Sequence, residues 1–176
     1  MNTDTHTAPR PPMPGAGIAT RLACAEIQPL LTRIVRRVAA RHPSLFARLG
    51  PHRSTDFLID PVDLPFALHL RPDQQSLVFR AVPRDAPPPS KAVIRGDFML
   101  LLELIDSEED GDAAFFARDL EVGGDTEAVV RLRNALDDVE GSIAEETAEM
   151  FGPPGRAILK RLRRAYSNDA TGETPR

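Results

Sequence analysis

Four histidines and one cysteine are the residues with the most obvious potential for chemistry. His6, His42, His52 and His69 include no pair spaced three or four positions apart, so none are placed to share a metal ion on one helical face. Neither a metal site nor a catalytic triad is predicted. His69 alternates with the apolar residues of a predicted strand, which predicts a solvent-exposed side chain. Cys24 has no disulfide partner and is predicted to be a small apolar filler.

The segment Gly123-Gly124-Asp125-Thr126-Glu127 has the composition of a phosphate loop, but it lacks the lysine and the wider glycine spacing. A strand-to-helix turn is favoured instead, with Asp125 as the helix N-cap. Glu103 interrupts an apolar segment. It lies either at the one wet edge of a helix or in a buried pair, where it would meet the polar head of a ligand. No catalytic residue and no cofactor are predicted, so an enzyme is not expected.

The length of 176 residues suits one domain with a sizeable core and short appendages. No apolar stretch approaches the roughly 20 residues needed to cross a bilayer, and the N-terminus lacks the pattern of a secretion signal. One cysteine fits a reducing compartment. We therefore expect a cytoplasmic protein, either free or peripheral at the inner face of the membrane.

Charge is segregated along the chain. Residues 97–149 hold 17 Asp and Glu against three Arg, a local charge of −14, so the remainder carries +10 within a net charge of −4. The acidic block is either an ordinary solvated face or one side of a molecule that presents its basic side to an anionic surface. Nucleic acid is not expected as a partner, because the only basic segment with an aromatic residue is the one containing Tyr166.

Helical periodicity appears first in residues 27–41. The apolar stripe is Ile27, Leu30, Leu31, Ile34, Val35 and Val38. An amphipathic helix is predicted with Pro29 in its first turn and an end near Arg41, before His42-Pro43. Residues 1–17 contain four prolines and few large apolar groups, which predicts a disordered tail.

From residue 54 the hydrophobic period changes from 3.6 to 2. Short strands are predicted in STDFLID, LPFALHL, QSLVFRAV and KAVIRGD, and a fifth in residues 120–122. The tight connections favour an antiparallel meander with one buried face. A buried helix is predicted over residues 97–105 with Asp97 as N-cap, and an amphipathic helix after Asp125. The fold class is α+β, with a mainly antiparallel or mixed five-stranded sheet covered by helices.

Residues 141–168 are predicted to form a C-terminal helical extension, followed by a disordered tail over residues 169–176. Within the extension, residues 155–166 form a basic amphipathic helix whose stripe is Ile158, Leu159, Leu162 and Tyr166. Such a helix suits a membrane surface, and it equally suits the acidic face of this protein.

A longer pattern combines Phe115, Phe116, Arg118, Leu120, Val122 and Gly124-Asp125-Thr126-Glu127 with Ile94-x-Gly96-Asp97 upstream and with Asn134, Leu136 and Asp137 downstream. This pattern resembles the sterol-carrier-protein (SCP-2-type) lipid-binding domain and, within that superfamily, the UbiT group of ubiquinone biosynthesis accessory factors. The domain is assigned to residues 18–140. One departure is Gly123, where the pattern commonly has a larger residue.

The resemblance implies a sterol-carrier-protein-like mixed sheet with an apolar tunnel for a lipid. It also implies a non-catalytic role in making ubiquinone without oxygen, beside UbiU/UbiV-type hydroxylases. The expected ligand is an isoprenoid quinone precursor or a phospholipid. The residues expected to face the tunnel are Phe57, Ile59, Leu64, Phe66, Leu68, Leu77, Phe79, Phe98, Leu101, Leu102, Ile105, Phe115, Phe116, Leu132 and Leu136. Those expected to face a membrane are Arg33, Arg36, Arg37, Arg161, Arg163 and Arg164.

Two other interpretations remain open from the sequence. The chain is a general phospholipid or sterol-type lipid carrier with the same fold, or it is a ligand-free scaffold whose acidic surface docks pathway enzymes. A core filled by the protein's own side chains would favour the scaffold.

Overall fold

A computed structural model describes residues 16–105, 120–137, 139 and 141–171, with side chains described as far as Arg164. The helices are α1 Ala16–Arg41, α2 Pro43–Arg48, α3 Phe98–Glu103, α4 Thr126–Asp137, α5 Ile143–Glu149 and α6 Gly152–Thr171. The strands are β1 Phe57–Pro61, β2 Phe66–Arg71, β3 Val78–Pro83, β4 Ala92–Gly96 and β5 Glu121–Gly124, and a short 3-10 helix spans Gly50–Ser54. None of the helices in these ranges combines the length and apolar character needed to span a bilayer.

The strands form one mixed sheet in the order β3-β2-β1-β4-β5. β1, β2 and β3 make the predicted antiparallel meander, in which Phe57 faces Leu70 and Leu70 faces Phe79. β4 then pairs in parallel with β1, with Ile94 opposite Ile59, and β5 is antiparallel to β4. The meander stops at β3 because the proline-rich segment after it carries the chain past β2 to the far side of β1. The predicted fold class is confirmed.

Helix α1 begins well before the predicted start. It runs from Ala16, so Pro29 lies in its interior, and the prediction that Pro29 occupies the first turn is wrong. An interior proline has no N–H for the helix ladder, which costs about 3 kcal/mol. Packing of α1 along β2 and β3 offsets this cost, with Cys24 and Leu31 buried at the contact. Residues 16 and 17, predicted as tail, are helical, and residues 1–15 lie outside the described part.

Gln28 ties α1 to the edge of the sheet. Its Nε2 donates to the carbonyl of Phe79 at 3.0 Å, and its Oε1 accepts from the amide of Ala81 at 3.2 Å. Both backbone groups belong to β3, the outermost strand, which pairs with β2 on its other side. One side-chain amide thus satisfies a donor and an acceptor that an edge strand would otherwise offer to another chain.

Helix α3 is shorter than predicted and is capped from a distance. Asp97 stands at the N-cap position, but its side chain accepts no capping hydrogen bond. The carboxylate of Asp63 accepts from the amide of Phe98 instead, at 2.8 Å. The predicted N-cap position at Asp97 is therefore confirmed, but the side chain that caps the helix belongs to Asp63 and not to Asp97. Glu103, at the end of α3, is partly buried.

The caps of α4 and α5 are local. Asp125 precedes α4, and its Oδ1 accepts from the amide of Ala128 at 3.0 Å, which confirms it as the N-cap. Ser142 precedes α5, and its Oγ accepts from the amide of Glu145 at 2.9 Å. Each cap satisfies one backbone donor that the first helical turn leaves open.

Helices α5 and α6 form a hairpin. Gly152, at its turn, has a φ of 64°. Gly155 lies so close to α5 that a Cβ there would stand 2.2 Å from the carbonyl oxygen of Ala148. Residues 169–171, which the sequence assigns to a tail, belong to α6.

Candidate functional site

One face of the sheet, called the inner face, is apolar and covered by helices. Alternate strand residues point to it: Phe57, Ile59, Phe66, Leu68, Leu70, Phe79, Ala81, Ala92, Ile94 and Val122. α1 packs over β3 and β2, and α4 packs over β4. The strand residues predicted to face a lipid are therefore brought together under two helices.

Two buried clusters occupy the inner face. Cluster A joins Phe57 and Ile94 of the sheet to Leu132 of α4. Cluster B joins Phe66 of β2 to Leu31 of α1. The helices thus divide the apolar face between them.

A seam lies where the two clusters meet. Ile59 packs against cluster A and Leu68 against cluster B, although they are direct partners across β1 and β2. Both stay partly exposed, whereas Phe57 in the neighbouring row is 0% exposed. A close-packed core buries apolar side chains in the middle of a sheet. This pair therefore keeps some apolar surface uncovered where the two clusters meet.

The remaining predicted tunnel residues surround these clusters to different degrees. Leu101 is buried in cluster A, Leu77, Ile105 and Leu136 pack against cluster A, Leu64 and Phe79 pack against cluster B, and Phe98 and Leu102 are partly buried on α3. Phe115 and Phe116 lie outside the described residues, so their part in a tunnel stays a prediction.

Sequence reasoning missed the contribution of α2. Leu45 and Phe46 of this helix, with Leu49 after it, are buried members of cluster A. A six-residue helix has fewer than two turns, which is too short for a 3.6-residue period to appear. The available signal was Pro43, which suits the first position of a helix, ahead of an apolar pair.

Two surface grooves lie away from the seam. One of about 420 Å³ is lined by Arg41, His42, Gly141, Ser142, Glu145, Glu146 and Glu149. The other, of about 750 Å³ and called the α5–α6 groove, is lined by Glu145, Ala148, Glu149, Arg156, Leu159, Lys160, Arg163 and Arg164. Charged side chains dominate both linings, so neither groove is the predicted apolar tunnel, which stays a prediction.

The segment Gly123–Glu127 is a strand-to-helix turn, as predicted. Gly124 has a φ of 73°, and a Cβ there would stand 2.1 Å from the carbonyl oxygen of Lys91. The Asp125 amide donates to that same carbonyl at 2.8 Å. His52 lies 3.8 Å from the carboxylates of both Asp125 and Glu127. The glycine and aspartate of this segment are therefore accounted for by the backbone turn and by the capping of α4.

The opposite, outer face of the sheet overturns the prediction for His69. This residue is 6% exposed, and its Nε2 donates to Asp56 Oδ1 at 2.7 Å while Nδ1 accepts from Arg80 Nε at 3.2 Å. Alternation determines which face a side chain points to, but not whether neighbouring side chains cover that face. Both ring nitrogens are engaged, so the imidazole is held as a structural group and not as a free base.

Asp56 is the centre of this arrangement. Burial would raise the pKa of its carboxyl, but hydrogen bonds from Arg71 and His69 hold the pKa below its ordinary value. A second buried carboxylate, Asp60, accepts from Arg84 Nε at 2.7 Å. The outer face therefore carries acids that are each paired with arginine, and no group of His, Cys, Asp and Glu suited to a metal occurs among the described residues.

Another ionic cluster joins the end of α1 to α5. Glu146 Oε2 lies 2.8 Å from His42 Nε2, and Glu146 Oε1 lies 3.1 Å from Arg41 Nη1 and 3.8 Å from Arg37 Nε. Burial would raise the pKa of Glu146, but the hydrogen bond with His42 and the nearby Arg41 guanidinium hold it below its ordinary value. Arg33 lies over the ring of Phe151, 5.9 Å from its centroid. Part of the predicted membrane-facing set on α1 thus also contacts this protein's own residues, while Arg36 is exposed.

The basic helix α6 docks partly on α5. Arg163 Nη1 lies 2.9 Å from Glu145 Oε1, and both side chains remain about half exposed, at 40% and 53%. Arg161 and Arg164 are exposed. One of the two predicted settings for this helix, contact with the protein's own acidic residues, is therefore observed.

The sequence profile of the SCP-2 sterol transfer family matches residues 41–137, more than half of the chain. A UbiJ-SCP2 ubiquinone synthesis protein of known structure has 18% identity and a TM-score of 0.46, with 72% of this chain and 94% of that chain covered. Sterol carrier protein 2 from Yarrowia lipolytica, in its apo form, has 10% identity and a TM-score of 0.38, with 68% and 91% covered. No curated protein sequence gives a significant match.

Proposed function

Because this chain belongs to the SCP-2 sterol transfer family, whose domains carry lipids, we propose that it is a non-catalytic accessory factor of oxygen-independent ubiquinone biosynthesis. It holds the tail of a polyprenylated quinone intermediate, or of a membrane lipid, against the inner face of its sheet. The polar head stays at the mouth of the seam, where enzymes of the pathway reach it.

The observation that carries the proposal is the seam. Ile59 and Leu68 are partly exposed apolar residues on the helix-covered face of the sheet. A lipid tail between them would remove apolar surface from water, and each buried methylene contributes about 0.8 kcal/mol. A long tail is therefore strongly favoured inside an apolar channel or a membrane, and transfer between the two is nearly balanced.

The choice of cargo is supported by the sequence pattern of residues 115–127, which resembles the UbiT group. The same resemblance supports UbiU/UbiV-type hydroxylases as protein partners. The acidic segment 97–149 offers them a charged surface.

Exchange of cargo requires contact with a membrane surface. The arginines of α1 and α6 are placed to approach anionic headgroups, since Arg36, Arg161 and Arg164 are all exposed. Cytoplasmic location with peripheral attachment follows from this proposal.

Extraction of the purified protein with organic solvent, followed by mass spectrometry of the lipid, tests the function. An isoprenoid quinone or its precursor is the expected passenger. Phospholipid alone would favour the general lipid carrier. Protein that carries no lipid and accepts none from vesicles would contradict lipid binding and favour the scaffold.

A further inference from the structure

Helix α6 presents an apolar row that nothing in the described structure buries. Ile158 is 60% exposed and Leu162 is 36% exposed, and they lie one helical turn apart on the same side. Leu159, by contrast, lines the α5–α6 groove. The helix therefore has apolar residues both towards α5 and towards solvent.

Basic residues flank the exposed row. Arg156, Lys160, Arg161 and Arg164 are exposed, and no acidic residue occurs between positions 152 and 164. Exposed apolar residues with cations on either side are the chemistry of a helix that lies in the headgroup region of an anionic bilayer.

Acidic residues of α5 face the cations of α6 across a shared groove, and one of them makes an ion pair. Glu145 and Glu149 line the α5–α6 groove together with Arg156, Lys160, Arg163 and Arg164, and Glu145 pairs with Arg163. The carboxylates thus occupy the place that lipid phosphates would take. Two carboxylates cannot neutralise four cations, so the groove retains positive charge.

We propose that the acidic wall of α5, formed by Glu145 and Glu149, is an internal competitor for anionic lipid headgroups, and that α6 exchanges between this wall and a membrane. In solution the wall holds α6 against the domain. At an anionic surface the cations of α6 leave the wall for lipid phosphates, and Ile158 and Leu162 enter the interface. The movement of α6 between the wall and a membrane rests on the proposed function in one respect: the membrane-bound state is the one in which lipid cargo is exchanged.

The energetics allow the exchange. An exposed ion pair is weak and is screened by salt, whereas an anionic bilayer attracts all the cations of α6 at once and also buries its apolar row. The close contact of Gly155 with Ala148 keeps the start of α6 on α5. The helix therefore pivots about its first turn and is not released as a whole.

Sedimentation with vesicles of phosphatidylglycerol and phosphatidylcholine tests the competition. The variant Glu145→Gln/Glu149→Gln removes the wall, and Glu26→Gln/Glu121→Gln is the matched control, since it removes the same charge from exposed sites elsewhere. We expect the wall variant to bind more tightly than the control, by about 1.5- to 5-fold, the range for an exposed ion pair such as Glu145–Arg163. Equal binding by the two variants would overturn the proposal.

A distance measurement tests the movement without altering the wall. Spin labels are placed at Asn134→Cys on α4 and Ala157→Cys on α6, both exposed positions, in a Cys24→Ala background. We expect the distance to change on adding anionic vesicles and to stay the same with phosphatidylcholine alone. An unchanged distance on anionic vesicles that bind the protein would overturn the exchange. Lipid content, measured separately on the same samples, tests the proposed function. The proposed function and the movement of α6 can therefore fail independently.

Discussion

Gly124 stands where β5 turns into α4, and its backbone has a φ of 73°. Any side chain at this position would meet the carbonyl oxygen of Lys91, which also accepts from the amide of Asp125. The neighbouring Gly123 is different, because a Cβ there would be 3.8 Å from Val93, an ordinary contact. Position 123 therefore has room for either a glycine or a side chain, whereas position 124 requires glycine.

Replacement of Gly124 and of Gly123 by alanine tests this steric difference between the two positions. We expect Gly124→Ala to lower the free energy of unfolding by about 1–3 kcal/mol or more, because it adds both positive-φ strain and a backbone clash. Gly123→Ala should change it by less than about 0.5 kcal/mol. Urea unfolding of both variants measures the difference, and equal effects would contradict this account of the turn.

Asp56 links three side chains on the outer face, where it accepts from His69 and Arg71, and His69 accepts from Arg80. The pKa of Asp56 is lower in the folded chain than its ordinary value. Its contribution to stability is therefore present above the unfolded pKa and is lost as the pH falls through the folded pKa.

The pH dependence of Asp56→Asn follows from that sign. At neutral pH we expect the variant to be less stable than the wild type by about 1.5–3 kcal/mol, because charged hydrogen bonds are lost. As the pH falls below the ordinary carboxyl pKa of about 3.9 and through the lower pKa of the folded chain, the difference should shrink, because the wild-type carboxyl then becomes protonated as well. Chemical unfolding across this range measures it, with the exposed Asp85→Asn as control. A difference that does not depend on pH would argue against the charged pairing.

At the scale of elements, α1 has two structural roles. It covers part of the inner face, and it bonds to the free edge of β3, which is called its border role. It covers cluster B through Cys24 and Leu31, and through Gln28 it occupies the free edge of β3. An edge strand that is bonded to a side chain has less to offer another chain. The interior Pro29 is tolerated in the helix because these contacts hold both halves of α1 in place.

Gln28→Met tests the border role. Methionine has a similar length but cannot bond the Phe79 carbonyl or the Ala81 amide, so we expect a loss of about 1–3 kcal/mol in stability. We also expect a greater tendency to self-associate through β3. Gln74→Met, at an exposed position, is the control and should have little effect. Thermal unfolding and light scattering measure both outcomes, and a monomeric variant of wild-type stability would refute the border role.

Local pattern predicted most of the elements but not their long-range pairing. The alternation around Phe66 and Leu68 identified β2, and Asp125 identified the start of α4. The parallel pairing of β1 with β4 depends on how the chain crosses the sheet after β3, which no local period records. The early start of α1 was missed because its first turns have weak apolar contrast, and α2 because it is too short.

The site was predicted as a set of apolar residues but not as an arrangement. Ile59 and Leu68, both predicted to face a tunnel, lie side by side on the inner face. Alternation could not show that they belong to different clusters, because this depends on the spacing between α1 and α4. His69 was misjudged for a related reason, since its hydrogen-bond partners are Asp56, just before β1, and Arg80 on β3, and no local period records them.

At the scale of the whole molecule, the domain has an apolar inner face, a paired ionic outer face and a basic helix docked on an acidic one. The inner face is divided at the seam, and α6 carries the exposed apolar row of Ile158 and Leu162. This arrangement is consistent with the proposed function, in which a lipid tail is held on the inner face and α6 meets a membrane. Binding of that tail requires room for it at the seam.

Leu68→Trp tests that room, with Val62→Trp, at an exposed position, as the matched control. If the seam is a crevice, the larger ring fills it at little cost in stability. If Leu68 lies in a filled core, overpacking should cost about 1–3 kcal/mol.

The most direct measurement is the molar ratio of lipid to protein in purified wild type, Leu68→Trp and Val62→Trp. We expect stoichiometric lipid in the wild type and in Val62→Trp, and little or none in a folded Leu68→Trp. Equal lipid content in all three proteins would contradict a lipid-holding seam, as would the absence of lipid from the wild type.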